Sequence, residues 1–99
     1  MDLTVSQTDG KSQINIPESL DVTSAPQIQK VLNEAITAAG DIELDFSKTG
    51  LVTSAGLRVL LQAQKNVKAQ GKNMTMKNIS PDVLEVFNLT GLAKVFTIE

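Results

Sequence analysis

The hydrophobic positions alternate in two short stretches near the start. In "DLTVS" Leu3 and Val5 fall on one face, and in "QINI" Ile14 and Ile16 do the same. Asp9-Gly10 lies between them, a pair that tolerates the positive φ of tight hairpin turns. Residues 2–7 and 12–17 are therefore expected to pair antiparallel. The period then changes. In "SAPQIQKVLNEAITAAG", Ile28, Val31, Leu32, Ala35, Ile36 and Ala39 form one helical stripe. Ser24 and Gln27 have the spacing of a capping box, Pro26 sits in the first turn, and Gly40 is a natural stop.

"DIELDF" returns to period two, with Ile42, Leu44 and Phe46 on one side and Glu43 and Asp45 on the other. A loop, "SKTGLVT", leads to a second helix over about 54–70. Its main buried face should be Leu57, Leu60, Leu61 and Val67, with Val59 and Ala63 beside it. Lys65 and Lys68 lie toward its end, where the helix dipole favours cations, and Gly71 closes it. "KNMTMKNI" reads as a strand with Met74 and Met76 inward. "SPDVLEVF" reads as a short helix capped by Ser80, with Pro81 first and Val83, Leu84 and Phe87 inward; Gly91 closes it, and "KVFTIE" supplies a last strand.

The order β-β-α-β-α-β-α-β implies a largely parallel sheet beyond the opening hairpin. The strands alternate polar and apolar, which a sheet covered on both faces would not do. The expectation is an α/β fold with a mixed sheet of four to five strands and helices packed mainly on one face. A chain of 99 residues suits one domain, 1–99.

Composition narrows the chemistry. There is no Cys, His, Trp or Tyr. That removes disulfides and thiolate metal sites, the commonest metal ligand and general base, and any nucleophile–His triad. Net charge is −2 with three Phe, each in an apolar pattern, so neither a basic track nor stacking aromatics for nucleic acid are present. The N-terminus has no signal-peptide pattern and no segment approaches a membrane span, which predicts a cytoplasmic protein without membrane insertion.

Three motifs invite chemistry. "GKS" at 10–12 resembles the end of a phosphate-binding loop, but such a loop needs glycine where Val5 stands, and these residues sit in a hairpin turn. Asp45 ends a strand like a phospho-accepting aspartate, yet the other strand ends bring no acidic pair to hold a metal. The third is "LVTSAGLRVLL", residues 51–61. Thr53 or Ser54 can cap the second helix, and residues 53–56 are small, leaving the helix start approachable. Gly56, one turn in, costs a helix about 1 kcal/mol relative to Ala, which points to a close approach there. A helix N-terminus also favours negative charge, so a phosphate on Ser54 would be tolerated by the helix that carries it.

"LDFSKTGLVTSAGLRVLL" resembles the signature of STAS domains, the fold shared by bacterial anti-sigma factor antagonists and the tails of sulfate transporters. "FNLTGLAKVFTI" (87–98) and "ESLDVTSAP" (18–26) are similar to two further family segments, in the right order. The chain departs from many members at Thr53, often Asp, at Ala55, often Ser, and at Glu18, often Gly. The resemblance implies a protein switch without catalysis or cofactor. The unmodified form binds an anti-sigma factor that is itself a serine kinase. Phosphorylation of Ser54 ends the association, and a serine phosphatase restores it. Asp21, Val22 and Thr23 would belong to the docking loop, and Thr53, Ala55, Arg58, Val59 and Gln62 would contact the partner. The family also implies an alternative, a constitutive accessory subunit docked on the ATPase of a lipid-transport ABC system.

Overall fold

A computed structural model describes residues 4–8, 10–38 and 40–99, without the side chains of Thr4, Gln7 and Thr8. Leu3 of the first strand, Asp9 of the hairpin turn and Ala39 of the first helical stripe lie outside the described residues.

The opening strands β1 (Thr4–Thr8) and β2 (Lys11–Asn15) pair antiparallel, with Val5 opposite Ile14. A two-residue strand, β3 (Ser19–Leu20), precedes helix α1 (Ala25–Thr37). Then come β4 (Ile42–Asp45), a second two-residue strand β5 (Leu51–Val52), and helix α2 (Ser54–Ala69). The chain ends with β6 (Met74–Lys77), helix α3 (Pro81–Leu89), a single 3₁₀ turn (Leu92–Lys94) and β7 (Thr97–Ile98). The main sheet has the order β1-β2-β4-β6-β7, parallel after the first pair, and β3 and β5 form a separate parallel ladder.

Alternation sets the sheet's two faces. Ser12 and Ile14, Ile42 and Leu44, and Met74 and Met76 are buried, while Gln13, Glu43, Asp45, Thr75 and Lys77 between them are only partly so. The helices cover the apolar face, as the alternation predicts. Ile28, Leu32 and Ile36 of α1 and Leu60, Ala63 and Val67 of α2 join the same core. Phe46, Phe87 and Phe96 close one end, with edge-on ring pairs at 6.3 and 5.3 Å.

Three expectations change. The buried stripe of α2 runs through Gly56, Val59, Leu60, Ala63, Gln64 and Val67, whereas Leu57 and Leu61 are half-buried at its margin. The helix is rotated toward Gly56 because that residue packs directly on Leu20. Helix α1 stops at Thr37, before Gly40, with Ala38 already extended. The Lys72 ammonium donates to the carbonyls of Ile36 and Ala38, satisfying acceptors that the helix end leaves open. Gly40 serves the hairpin instead of the helix: at φ 98 its backbone lies so close to Gly10 that no Cβ would fit. Finally, the last strand is shorter than expected, because residues 92–94 coil into the 3₁₀ turn.

The open face carries the ion pairs. Lys77 meets Glu43 at 3.2 Å and Glu99 at 3.7 Å. Hydrogen bonding and charge from Glu43, with Glu99 adding charge, raise the Lys77 ammonium above its usual pKa. At Asp45, partial burial opposes ionisation. The Ser47 N–H and hydroxyl, Asn78 and Lys77 outweigh it, so the carboxyl lies below its ordinary value. A depressed carboxyl contributes stability above its unfolded pKa, about 4, and loses it as pH falls through the folded value. The raised Lys77 does the reverse: its contribution is present below about pH 10.4 and fades as pH rises through the folded value. Asp45→Asn is expected to flatten the acid limb of a urea-stability profile below about pH 4. An acid limb identical to that of the parent protein would contradict this role for Asp45.

Candidate functional site

Two segments far apart in sequence are zipped together beneath the site. Ser19 pairs with Leu51 and Leu20 with Val52. The ladder is extended at both ends: Gly50 N–H donates to the Glu18 carbonyl and Thr53 N–H to the Leu20 carbonyl, each at 2.9 Å. Below it the buried Thr49 hydroxyl lies 2.8 Å from the Pro17 carbonyl oxygen and 3.2 Å from that of Ile16. The chain therefore leaves Leu20 into the turn 21–24 at the place where its neighbour leaves Val52 into α2.

The turn is held by its own side chains. The Asp21 carboxylate accepts from the N–H groups of Thr23 (2.9 Å) and Ser24 (3.1 Å), an arrangement in which aspartate substitutes for a backbone turn. The Ser24 hydroxyl donates to the Ser19 carbonyl at 2.8 Å and accepts from Asp21 N–H at 3.0 Å. The capping box expected from Ser24 and Gln27 is therefore absent. Ser24 already has helical angles, φ −91 and ψ −20, and its hydroxyl is committed to the turn behind it.

At the start of α2 neither hydroxyl caps the helix. Thr53 is the extended flanking residue, φ −97 and ψ 177, with Oγ1 at 3.4 Å from the Leu20 carbonyl and no bond into the helix. Ser54 is the first helical residue rather than the cap. It is exposed, and among the described residues its hydroxyl has no hydrogen-bond partner. The first turn of α2 contains no acidic side chain, so its free N–H groups meet no fixed negative charge there.

Around Ser54 the expected residues fall into three groups. Val22 (76% exposed), Thr23, Arg58 and Gln62 reach solvent, and Gln62 also bonds Asn66 at 3.2 Å. Asp21, Thr53 and Ala55 are half-buried at the seam between turn and helix. Val59 is a correction: it is 8% exposed and packs in the core, so its side chain offers a partner almost nothing. Leu51, 50% exposed on β5, was not among the expected contacts. Lying in what reads as a loop, it gives no periodic signal; an apolar side chain directly before the small-residue helix start is the available clue. A shallow groove between residues 17–19, the turn and Lys48 borders the same surface. Among the described residues no cluster of three or more acidic or other ligating side chains could hold a metal, and Asp45 stands apart from any such group.

Residues 3–98 match the family model described as "Mlab, STAS domain". The chain is 30% identical to the anti-sigma-B factor antagonist of Bacillus subtilis (strain 168), over 95% of this chain and 86% of that protein. The anti-sigma factor antagonist SpoIIAA in its unphosphorylated form superposes with a TM-score of 0.83 at 23% identity, covering 99% of this chain and 88% of that one. The Bacillus cell fate determinant SpoIIAA in the phosphorylated form superposes with 0.77 at 22% identity, covering 99% and 91%.

The seam makes a mutational prediction. A Cβ at Gly56 would lie 2.6 Å from both the Leu20 side chain and the Leu20 carbonyl oxygen. That carbonyl is held by Thr53 and cannot swing aside. Alanine's helix preference, about 1 kcal/mol, should therefore be overcome by crowding. Gly56→Ala is expected to lower urea stability by about 1–3 kcal/mol. A variant as stable as the parent, or more stable, would show that the contact is soft.

Proposed function

The chain belongs to the STAS domain family, and we propose that it acts there as an anti-sigma factor antagonist switched by phosphorylation of Ser54. The single observation that supports this most is the state of that hydroxyl: exposed, unbonded among the described residues, and first in a helix whose N-terminal turn carries no acid. The unmodified protein docks an anti-sigma factor serine kinase on the surface formed by Val22, Thr23, Leu51, Arg58 and Gln62. It works by binding and uses no cofactor. Within the complex the kinase transfers the γ-phosphoryl group of ATP to Ser54. The new bond joins Oγ to phosphorus, ADP leaves with the bridging oxygen, and the hydroxyl proton passes to a base of the kinase. A serine phosphatase hydrolyses the ester and resets the switch. These partners place the protein in the cytoplasm. No helix among the described residues is long and apolar enough to cross a membrane.

The energetics are one-sided. Phosphoserine adds about −1.5 to −2 charges. At the solvent-facing helix start, water and the helix N–H groups offset that charge. Against a partner's surface the same group loses water and meets whatever acids the partner presents, at a cost of several kcal/mol. About 3 kcal/mol suffices to weaken binding more than a hundredfold. The similarity to SpoIIAA in both phosphorylated and unphosphorylated forms supports a modification that leaves the fold in place.

A second reading is a constitutive accessory subunit of a lipid-transport ABC system. The family model carries the name Mlab, and Thr53 and Ala55 depart from the acid and second hydroxyl that often flank the acceptor. Calorimetric titration with a purified kinase-type anti-sigma factor separates the readings. The parent and Ser54→Ala are expected to bind alike, and Ser54→Asp at least about tenfold more weakly. Equal affinity for all three would contradict the switch, and no binding by any of them, with a transporter ATPase recovered in a pull-down, would favour the accessory subunit. Mass spectrometry of the peptide spanning residues 49–58 after incubation with kinase and ATP tests the acceptor itself.

A further inference from the structure

Arg58 follows Ser54 by four residues within the continuous helix α2. Side chains at that spacing share one side of a helix, with Cβ atoms about 5–6 Å apart. Arg58 is exposed, and among the described residues it enters no ion pair or hydrogen bond; the ion pairs formed there belong to Lys77. Between the two positions lie Ala55, Gly56 and Leu57, with Gly56 buried on Leu20 and the other two half-buried. No long polar side chain intervenes along the helix.

The other charges near this helix start are few. Asp21 sits across the seam, its carboxylate already accepting from Thr23 and Ser24. Lys48 and the exposed Glu18, of opposite charge, border the groove with Asp21 and Thr23. The first turn of α2 has no acid. A phosphate on Ser54 would thus have an aspartate across the seam and an uncommitted guanidinium one turn along its own helix. A guanidinium presents a planar fork of donors that fits phosphate oxygens two at a time.

We propose that Arg58 is an intramolecular clamp for phosphorylated Ser54, an inference that rests on modification at that serine. In the unmodified protein Arg58 stands free on the docking surface. After modification it folds back along the helix onto the dianion. The switch then has two arms: an anion appears where the partner docks, and a cation is withdrawn from the same surface. The clamp also shields the ester, so it slows removal of the phosphate.

The test installs phosphoserine at position 54 during translation, so no kinase is needed, and follows the second ionisation of the phosphate by ³¹P NMR in the full chain. Arg58 is expected to hold that ionisation lower than in Arg58→Gln by about 0.3 pH unit or more, the equivalent of one helical ion pair. Arg58→Lys should retain part of the shift, and Lys65→Gln should leave it unchanged. The difference should vanish in urea, where the helix is lost. Arg58→Gln should also speed dephosphorylation by a general serine phosphatase several-fold. Titration curves that coincide within about 0.1 unit in folded parent and Arg58→Gln would overturn the clamp. Failure of every kinase to modify Ser54 would instead refute the proposed function and leave the titration result standing.

Discussion

The site depends on one backbone contact, the Thr53 N–H on the Leu20 carbonyl. It terminates a parallel ladder of only two residue pairs, and such a ladder would not persist alone. What keeps it is the surrounding commitment: Thr49 buried on the carbonyls of residues 16 and 17, and Gly56 laid against Leu20 with no space for a side chain. Leu20 and Val52 anchor the ladder in the core, while Ser19 and Leu51, the other pair, are more exposed. The start of α2 and the turn 21–24 are therefore fixed side by side by main-chain bonds. Surface residues there can vary without moving the platform.

On that platform the useful property is an incomplete one. Among the described α-helices only α3 receives a side-chain cap, from Ser80, which accepts from Val83 N–H at 3.3 Å; in α1 the Ser24 hydroxyl is spent on the preceding turn. The start of α2 receives none: Thr53 leans back toward Leu20, and Ser54 lies one position too far along. Ser54 at its first position is exposed, and among the described residues its hydroxyl is uncommitted. The helix forgoes roughly 1 kcal/mol of capping and keeps a positive end accessible. Under the proposed switch, this arrangement would let a dianion be carried here without refolding, while a partner pressed against it would meet the uncompensated charge.

Much of this is legible in the residues. The two-residue period marks the central strands with the correct faces, because Ile42, Leu44, Met74 and Met76 alternate with polar neighbours. Pro81 and Ser80 mark α3 through purely local chemistry. Ser54 stands out because small residues and a glycine precede an apolar run. Apart from the locally bonded Ser24, the misses depend on contacts between distant segments. Two-residue strands have no period, and β3 meets β5 more than thirty residues along the chain, so "LVT" looks like loop. Ser24 has the spacing of a cap, but its hydroxyl finds Ser19 and Asp21 first. Gly56 does announce a close approach; the approaching group is Leu20 from inside the fold, not a partner from outside. Val59 falls inside the core and not on the exposed surface beside Ser54, on the same side of the helix as the buried Gly56.

A phosphate carried by Ser54 on a rigid platform, acting by charge alone, is the claim on which the rest turns. Comparing ¹H–¹⁵N spectra of the unmodified and Ser54-phosphorylated full chain tests it most directly. Shift changes confined to the turn 20–24 and the helix start 51–62 are expected, with the amides of β2, β4 and β6 unmoved. Shifts spread across the central sheet, or loss of the amide signals of α2, would show that the modification acts by rearranging the fold.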